Sequence, residues 1–177
     1  MANLGFKEIT LENWSQPDSI HDFFVKLSPT GEALPMAAED WIRPLLIVSL
    51  SKKVPHDVQT LFEVARGAMV YGYYFYPLWT LGIEQLCRVT EAAVSHKCRS
   101  LGAPKSKRRF VDKIRWLENE KVISSTDEEL LHDIRELRNS ASHSTSQSIF
   151  TPGMVIPLME SIVRAINYLF NTGQTRI

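Results

Sequence analysis

Residues 125–144 read STDEELLHDIRELRNSASHS, and this stretch predicts an amphipathic α-helix. Ser125 or Thr126 can cap the first turn, because a side-chain oxygen there accepts a free backbone N–H. The acids at 127–129 then face the positive end of the helix dipole. Apolar side chains recur at the spacing of a single helix face: Leu130, Ile134, Leu137 and Ala141. Serine-rich residues follow and compete for helix hydrogen bonds, so we expect the helix to fray near His143.

The sequence on both sides of this helix also favours helices. We found no alternating pattern typical of strands. The apolar spacing and the turn signals between segments predict an all-α fold, a helical bundle of five to seven helices. Residues 1–68 form a helical N-terminal extension of the same fold unit, and residues 69–177 form the helical core. Six further helices are predicted. Three of them begin at Pro17–Ser19, at Pro55 and at Thr151–Pro152. The others cover about 35–53, one long stretch from Met69 to about Cys98, and 110–117.

Composition is that of a soluble, folded chain. Hydrophobic residues make up 44% of the 177 residues, and 20 basic residues balance 20 acidic ones, so net charge gives no reason to expect a nucleic-acid or membrane partner. Cys87 and Cys98 lie on one predicted helix about 16 Å apart, too far to form a disulfide. Reduced thiols, and an N-terminus without the features of a signal peptide, predict a cytoplasmic protein.

The chemistry-bearing residues are Arg138, Asn139 and His143. Histidine titrates near neutral pH, so it can take a proton from a ribose 2′-hydroxyl or give one to a leaving oxygen. Arginine offers a fork of donors to a phosphate whose charge grows in the transition state. Asn139 can orient either group or the substrate. Such a set suits cleavage of RNA by its own 2′-hydroxyl without a metal or another cofactor.

The run from Arg138 to His143 resembles the signature of the HEPN family, in which an arginine and a polar residue precede a histidine by four to six positions. The resemblance covers about residues 69–170. It implies a homodimer in which two such helices face each other across one cleft, and it implies that Glu84 on the preceding long helix holds the arginine. Members of the family often act as ribonucleases in toxin, phage-defence or RNA-processing roles.

Other interpretations of the same residues remain open. Arg138 and Asn139 can simply secure a helix end, and many members of such families bind nucleotide, RNA or a partner protein without catalysis. His132, Glu136, Asn139 and His143 would share a helix face that could hold a metal, if the helix continued. The serines argue against that continuation, so we expect no metal site.

Basic residues are concentrated in one part of the chain. Residues 96–121 hold nine basic and three acidic residues in an otherwise neutral protein. We expect Lys105, Lys107, Arg108 and Arg109 to bind the phosphates of RNA, and the alternative is a solvated loop. The aromatic residues at 71–79 and the last helix offer more apolar surface than one bundle readily hides, which again predicts a dimer.

Overall fold

Six α-helices account for most of the chain over residues 7–141 and 150–171, which are the residues that the computed structural model describes. The all-α prediction is therefore confirmed, with a helix number inside the predicted range. The helices are α1 (Ala38–Ile47), α2 (His56–Tyr71), α3 (Leu78–Ser100), α4 (Phe110–Asn119), α5 (Ser125–Ala141) and α6 (Pro152–Asn171).

Helix α3 is the centre of the bundle. It packs against α2, α4, α5 and α6. Neighbours cover it on several sides, so it buries one broad face, while Leu81, Arg88 and Arg99 on the other side stay exposed. Its fully buried side chains include Trp79, Ile83, Leu86, Val89 and Val94.

Helix α6 is long and apolar enough to cross a membrane, judged by length and composition alone. In the bundle it packs against α3 and buries one face, which includes Val155, Met159 and Ile162. A core helix passes the same length test, so this property carries little weight.

One long helix from Met69 to Cys98 is not what forms, and that prediction is wrong. Helix α2 continues to Tyr71, a turn occupies residues 72–77, and α3 begins at Leu78. Pro77 explains the break, because proline lacks an N–H donor and its ring disfavours a helical conformation in the residue before it. The predicted boundary after residue 68 falls inside α2.

The turn requires glycine at position 72. A Cβ atom there would lie 2.8 Å from the Met69 carbonyl oxygen and 2.8 Å from Nε1 of the buried Trp79. We expect Gly72→Ala to lower the free energy of unfolding by about 1–3 kcal/mol, as overpacking does. Gly67→Ala in α2 is the matched control. Apart from the helix's own nearby backbone, no atom of the described residues lies within 4 Å of its added methyl, so it should be neutral or stabilise by up to about 1 kcal/mol. Urea denaturation measures both, and equal stabilities would contradict the account.

The region before α1 departs most from the predictions. The helix expected from Asp18 onward is only a 3₁₀ turn, Ser19–Phe23. Two strands follow, β1 (Val25–Leu27) and β2 (Ala33–Pro35), paired antiparallel with Lys26 opposite Leu34. The absence of strands was therefore predicted wrongly. Gly31, with φ of 83°, allows the tight turn between them.

The helix predicted over residues 35–53 is shorter than expected. Helix α1 covers only Ala38–Ile47, with Pro44 inside it. Asp40 accepts a hydrogen bond from the Ala37 N–H and pairs with Lys26 on β1, which joins the hairpin to the helix. The hairpin and α1 therefore form one unit.

Candidate functional site

Helix α5 carries Arg138 and Asn139 of the predicted site, and a cap fixes its start. The Asp127 N–H donates to Ser124 Oγ (3.1 Å), and Ser124 Oγ donates to Asp127 Oδ2 (2.7 Å). The cap is thus Ser124, one residue before the first of the two predicted candidates. Leu131 and Ile134 are buried where α5 packs on α3 and α4. This packing sets the direction in which the last turn of α5 points.

Arg138 lies in that last turn and is held by a carboxylate from the neighbouring helix. Its Nη1 is 3.3 Å from Oε2 of Glu91 on α3. The arginine side chain is 45% exposed, whereas that of Glu91 is 29% exposed. A cation near a helix C-terminus is also favoured by the helix dipole. The guanidinium is therefore both held in position and accessible to solvent.

Glu91 is the partner of Arg138 that sequence reasoning missed. Glu84, the predicted holder of Arg138, lies seven residues earlier on the same face of α3, since Glu84, Arg88 and Glu91 follow the i, i+4, i+7 spacing. Glu84 and Arg88 line a groove between α2 and α3, together with Val64, Ala68, Leu81 and Gln85. The supporting role of Glu84 stays a prediction.

Cys87 on α3 is buried. The pKa of its thiol is raised to about 11, mainly by burial; Glu84 also raises it, and Arg138 lowers it. Both charged groups therefore act on the same buried point. The residues of α3 near the site, Glu84 to Glu91, span about two turns of the helix.

Both thiols are poorly reactive by this account, which gives a direct test. Burial raises the pKa of Cys98 to about 11 as well, from an ordinary value of 9.0. We expect native Cys87 and Cys98 to react with a disulfide reagent at pH 8 at least about a hundredfold more slowly than in guanidinium, because the thiolate is the nucleophile. A thiol that reacts in the native protein at the unfolded rate would contradict this.

The remaining predicted site residues divide into described and undescribed ones. Asn139 is exposed beside Arg138. His143 lies outside the described residues. His132, part of the metal alternative, faces Glu128 with its Nε2 3.4 Å from Oε1. Over residues 7–141 and 150–171, no group of three or more His, Cys, Asp or Glu side chains could hold a metal ion.

The basic segment is partly engaged in structure. Lys97 is buried with its Nζ 5.9 Å from the centre of the Phe170 ring, and burial lowers its pKa. Lys113 donates to Ser95 Oγ at 2.8 Å. Two of the nine cations therefore serve the packing of α3 with its neighbours.

The four residues predicted to bind phosphate also differ from one another. Arg109 donates two hydrogen bonds of 3.0 Å to Asp112 in the first turn of α4. Lys105 and Arg108 are exposed, and Lys107 is half-buried. The surface available to an anion is therefore that of Lys105, Lys107 and Arg108, with Arg109 committed to α4.

The comparisons with known proteins identify a family for the part of the chain that contains this site. No curated protein and no solved structure matches the chain. A family model described as Domain of unknown function (DUF4145) matches residues 83–175, which is more than half of the chain and includes Glu91, Arg138 and His143. The chain therefore belongs to the DUF4145 family.

Proposed function

We propose that this protein is a metal-independent endoribonuclease of the HEPN type, which cleaves RNA by attack of the substrate's 2′-hydroxyl. One observation carries the proposal. Arg138 is held by Glu91 at a solvent-facing helix end, beside the exposed Asn139 and five residues before His143. A fixed but accessible guanidinium is the arrangement that phosphate binding requires.

Each residue has a definite role in this reaction. His143, as general base, removes the 2′-hydroxyl proton, and the 2′-oxygen forms a bond to phosphorus while the bond to the 5′-oxygen breaks. His143, once protonated, gives the proton to the leaving 5′-oxygen. Arg138 stabilises the charge on the phosphorane. Asn139 orients the substrate, and Glu91 keeps the guanidinium in place.

The exposed basic residues follow the C-terminal end of α3, the helix that carries Glu91. Glu91 and Ser100 are roughly 14 Å apart along the helix axis at 1.5 Å per residue. The loop that carries Lys105 and Arg108 follows directly. An RNA strand bound by that loop reaches Arg138 by running along α3.

A homodimer is part of the proposal, through a surface other than the aromatic residues at 71–79. Tyr76 and Trp79 are buried within the chain. The groove between α2 and α3 instead keeps Val64 and Leu81 more than half exposed. Glu84 and Arg88 beside them are self-complementary, because in a twofold contact Glu84 of one copy meets Arg88 of the other.

A charge exchange tests the dimer. Glu84→Arg and Arg88→Glu should each shift the mass measured by light scattering from about twice the 20.2 kDa chain toward a single chain, because like charges then meet. The double variant Glu84→Arg/Arg88→Glu restores opposite charges and should restore the dimer. A wild-type mass of one chain at micromolar concentration would contradict the dimer. Single variants that stay dimeric would place the contact elsewhere.

The alternative function is a binding module without catalysis. The observation that favours it is the Glu91 carboxylate, which already neutralises part of the Arg138 charge. Either form would work in the cytoplasm, since the free thiols Cys87 and Cys98 fit a reducing compartment.

The deciding experiment is a cleavage assay with purified protein, single-stranded RNA and EDTA. The ribonuclease should give products with a cyclic 2′,3′-phosphate and a free 5′-hydroxyl, and it should leave DNA of the same sequence intact. Protein that binds RNA but cuts none of a diverse set would favour the binding module.

A further inference from the structure

The N-terminal region is attached to the turn at 72–77 through a few buried polar contacts. The Asp18 N–H donates to the Tyr73 carbonyl oxygen (3.0 Å), and Asp18 Oδ2 accepts from the Tyr76 N–H (2.9 Å). His21 Nε2 lies 3.1 Å from the Gly72 carbonyl oxygen. These three contacts join the 3₁₀ turn to the connection between α2 and α3.

His21 is enclosed by aromatic rings and is only 5% exposed. The ring centroids of Trp41, Tyr73 and Tyr76 lie 4.9, 5.2 and 5.5 Å from its own. Since a carbonyl oxygen only accepts, Nε2 must carry the proton of the neutral ring. Nδ1 is buried and has no hydrogen-bond partner in the part of the chain that the structure describes.

We propose that His21 is a pH-sensitive latch, which holds the N-terminal hairpin unit on the turn at 72–77 while its ring is neutral and releases it when the ring is protonated. The second proton would sit on Nδ1, where a new N–H finds no acceptor among the described residues. It would also place a positive charge inside an aromatic enclosure, at a cost in desolvation.

The charged and titratable groups around the ring set the direction of the effect. Asp18 and Asp22 on the same segment favour the protonated ring, and the phenols of Tyr73 and Tyr76 face it from the turn. Helix α1 contributes the uncharged Trp41. Burial outweighs the hydrogen bond to Gly72 and the two carboxylates, which favour the protonated ring, and lowers the pKa of His21.

The sign of the pH dependence follows. A lowered pKa in the folded state means that the neutral ring is favoured there, so His21 contributes its full stabilisation above its ordinary pKa of 6.5. That contribution is lost as the pH falls below 6.5 toward the folded-state value. Opening would expose Tyr73 and Tyr76, which lie directly before α3.

Hydrogen exchange of the full chain tests the latch. The Asp18 and Tyr76 amides report on it directly, because both hydrogen bonds join the two segments. Between pH 7.5 and 5.5, after correction for the intrinsic rate, their protection should fall by up to about tenfold, the limit for one group with these titration bounds. His21→Gln keeps a donor for Gly72 but cannot be protonated, so it should abolish the dependence. His56→Gln, at an exposed histidine, should preserve it.

Two results would overturn the latch: protection that does not change with pH in the natural chain, and a pH dependence that persists in His21→Gln. A ring titration by NMR on the unchanged protein keeps the test valid if His21→Gln fails to fold. The pKa of His21 should lie below the ordinary histidine value of 6.5. Titration at pH 6.5 or above would contradict the proposal.

Discussion

RNA cleavage is expected to slow by at least about 10²-fold in Arg138→Ala, because a positioned donor of charge stabilisation is lost. His143→Ala is expected to cost 10²–10⁴-fold in rate, the usual contribution of a proton-transfer group. The Arg138 side chain is 45% exposed, so its substitution should leave the fold intact, and circular dichroism checks this for both variants. Arg164→Ala on the exposed face of α6 is the control and should cleave normally.

Glu91→Gln separates positioning from catalysis. The amide keeps the shape of the side chain but loses the charge that holds Arg138, so the guanidinium is less well placed. We expect Glu91→Gln to lower kcat less than Arg138→Ala does, and to change KM less than it changes kcat. In the double variant Glu91→Gln/Arg138→Ala, the Glu91→Gln effect should disappear, because the effects of residues that act together are not additive. Activity that survives both Arg138→Ala and His143→Ala would contradict the proposed site and point to another one.

RNA binding is expected to weaken by about 10²-fold at 0.1 M salt in the triple variant Lys105→Gln/Lys107→Gln/Arg108→Gln. Three phosphate contacts on a single strand contribute about 2 to the slope of log affinity against log salt, at about 0.7 for each contact. Loss of that slope between 0.1 and 1 M salt gives the hundredfold difference. Arg109 is left unchanged, because its bonds to Asp112 support the start of α4.

A charge-matched control makes this measurement specific. Lys52→Gln/Lys53→Gln/Arg164→Gln removes three exposed cations elsewhere in the bundle. Fluorescence anisotropy over a salt series should show the natural slope in this control and a flatter slope in the triple variant. Equal slopes of log affinity against log salt in the two variants would mean that the loop at 101–109 is ordinary solvated surface.

The helices were predictable where one apolar face dominates. In α5 a strong N-terminal signal precedes Leu130, Ile134 and Leu137, and the helix forms as expected. The break at 72–77 was harder to predict, because its aromatic residues suit a helix as well as a turn. Pro77 favours the break locally, whereas the close approach of Trp79 to Gly72, which leaves no room for a larger residue, is not visible in local sequence.

The site was predictable only in part, for a similar reason. Arg138 and Asn139 lie in one helical turn, so their proximity follows from the sequence. The partner of Arg138 does not, because Glu84 and Glu91 occupy the same face of α3 and are equivalent by spacing. Only the way α5 packs on α3 brings Glu91 within 3.3 Å of the guanidinium.

The most direct test of the proposed chemistry uses an RNA oligonucleotide with one 2′-deoxy sugar at a bond that the protein is known to cut. If the 2′-hydroxyl is the nucleophile, cleavage at that bond should stop while cleavage at unmodified bonds continues at its normal rate in EDTA. Cleavage that continues at the 2′-deoxy position would contradict the mechanism.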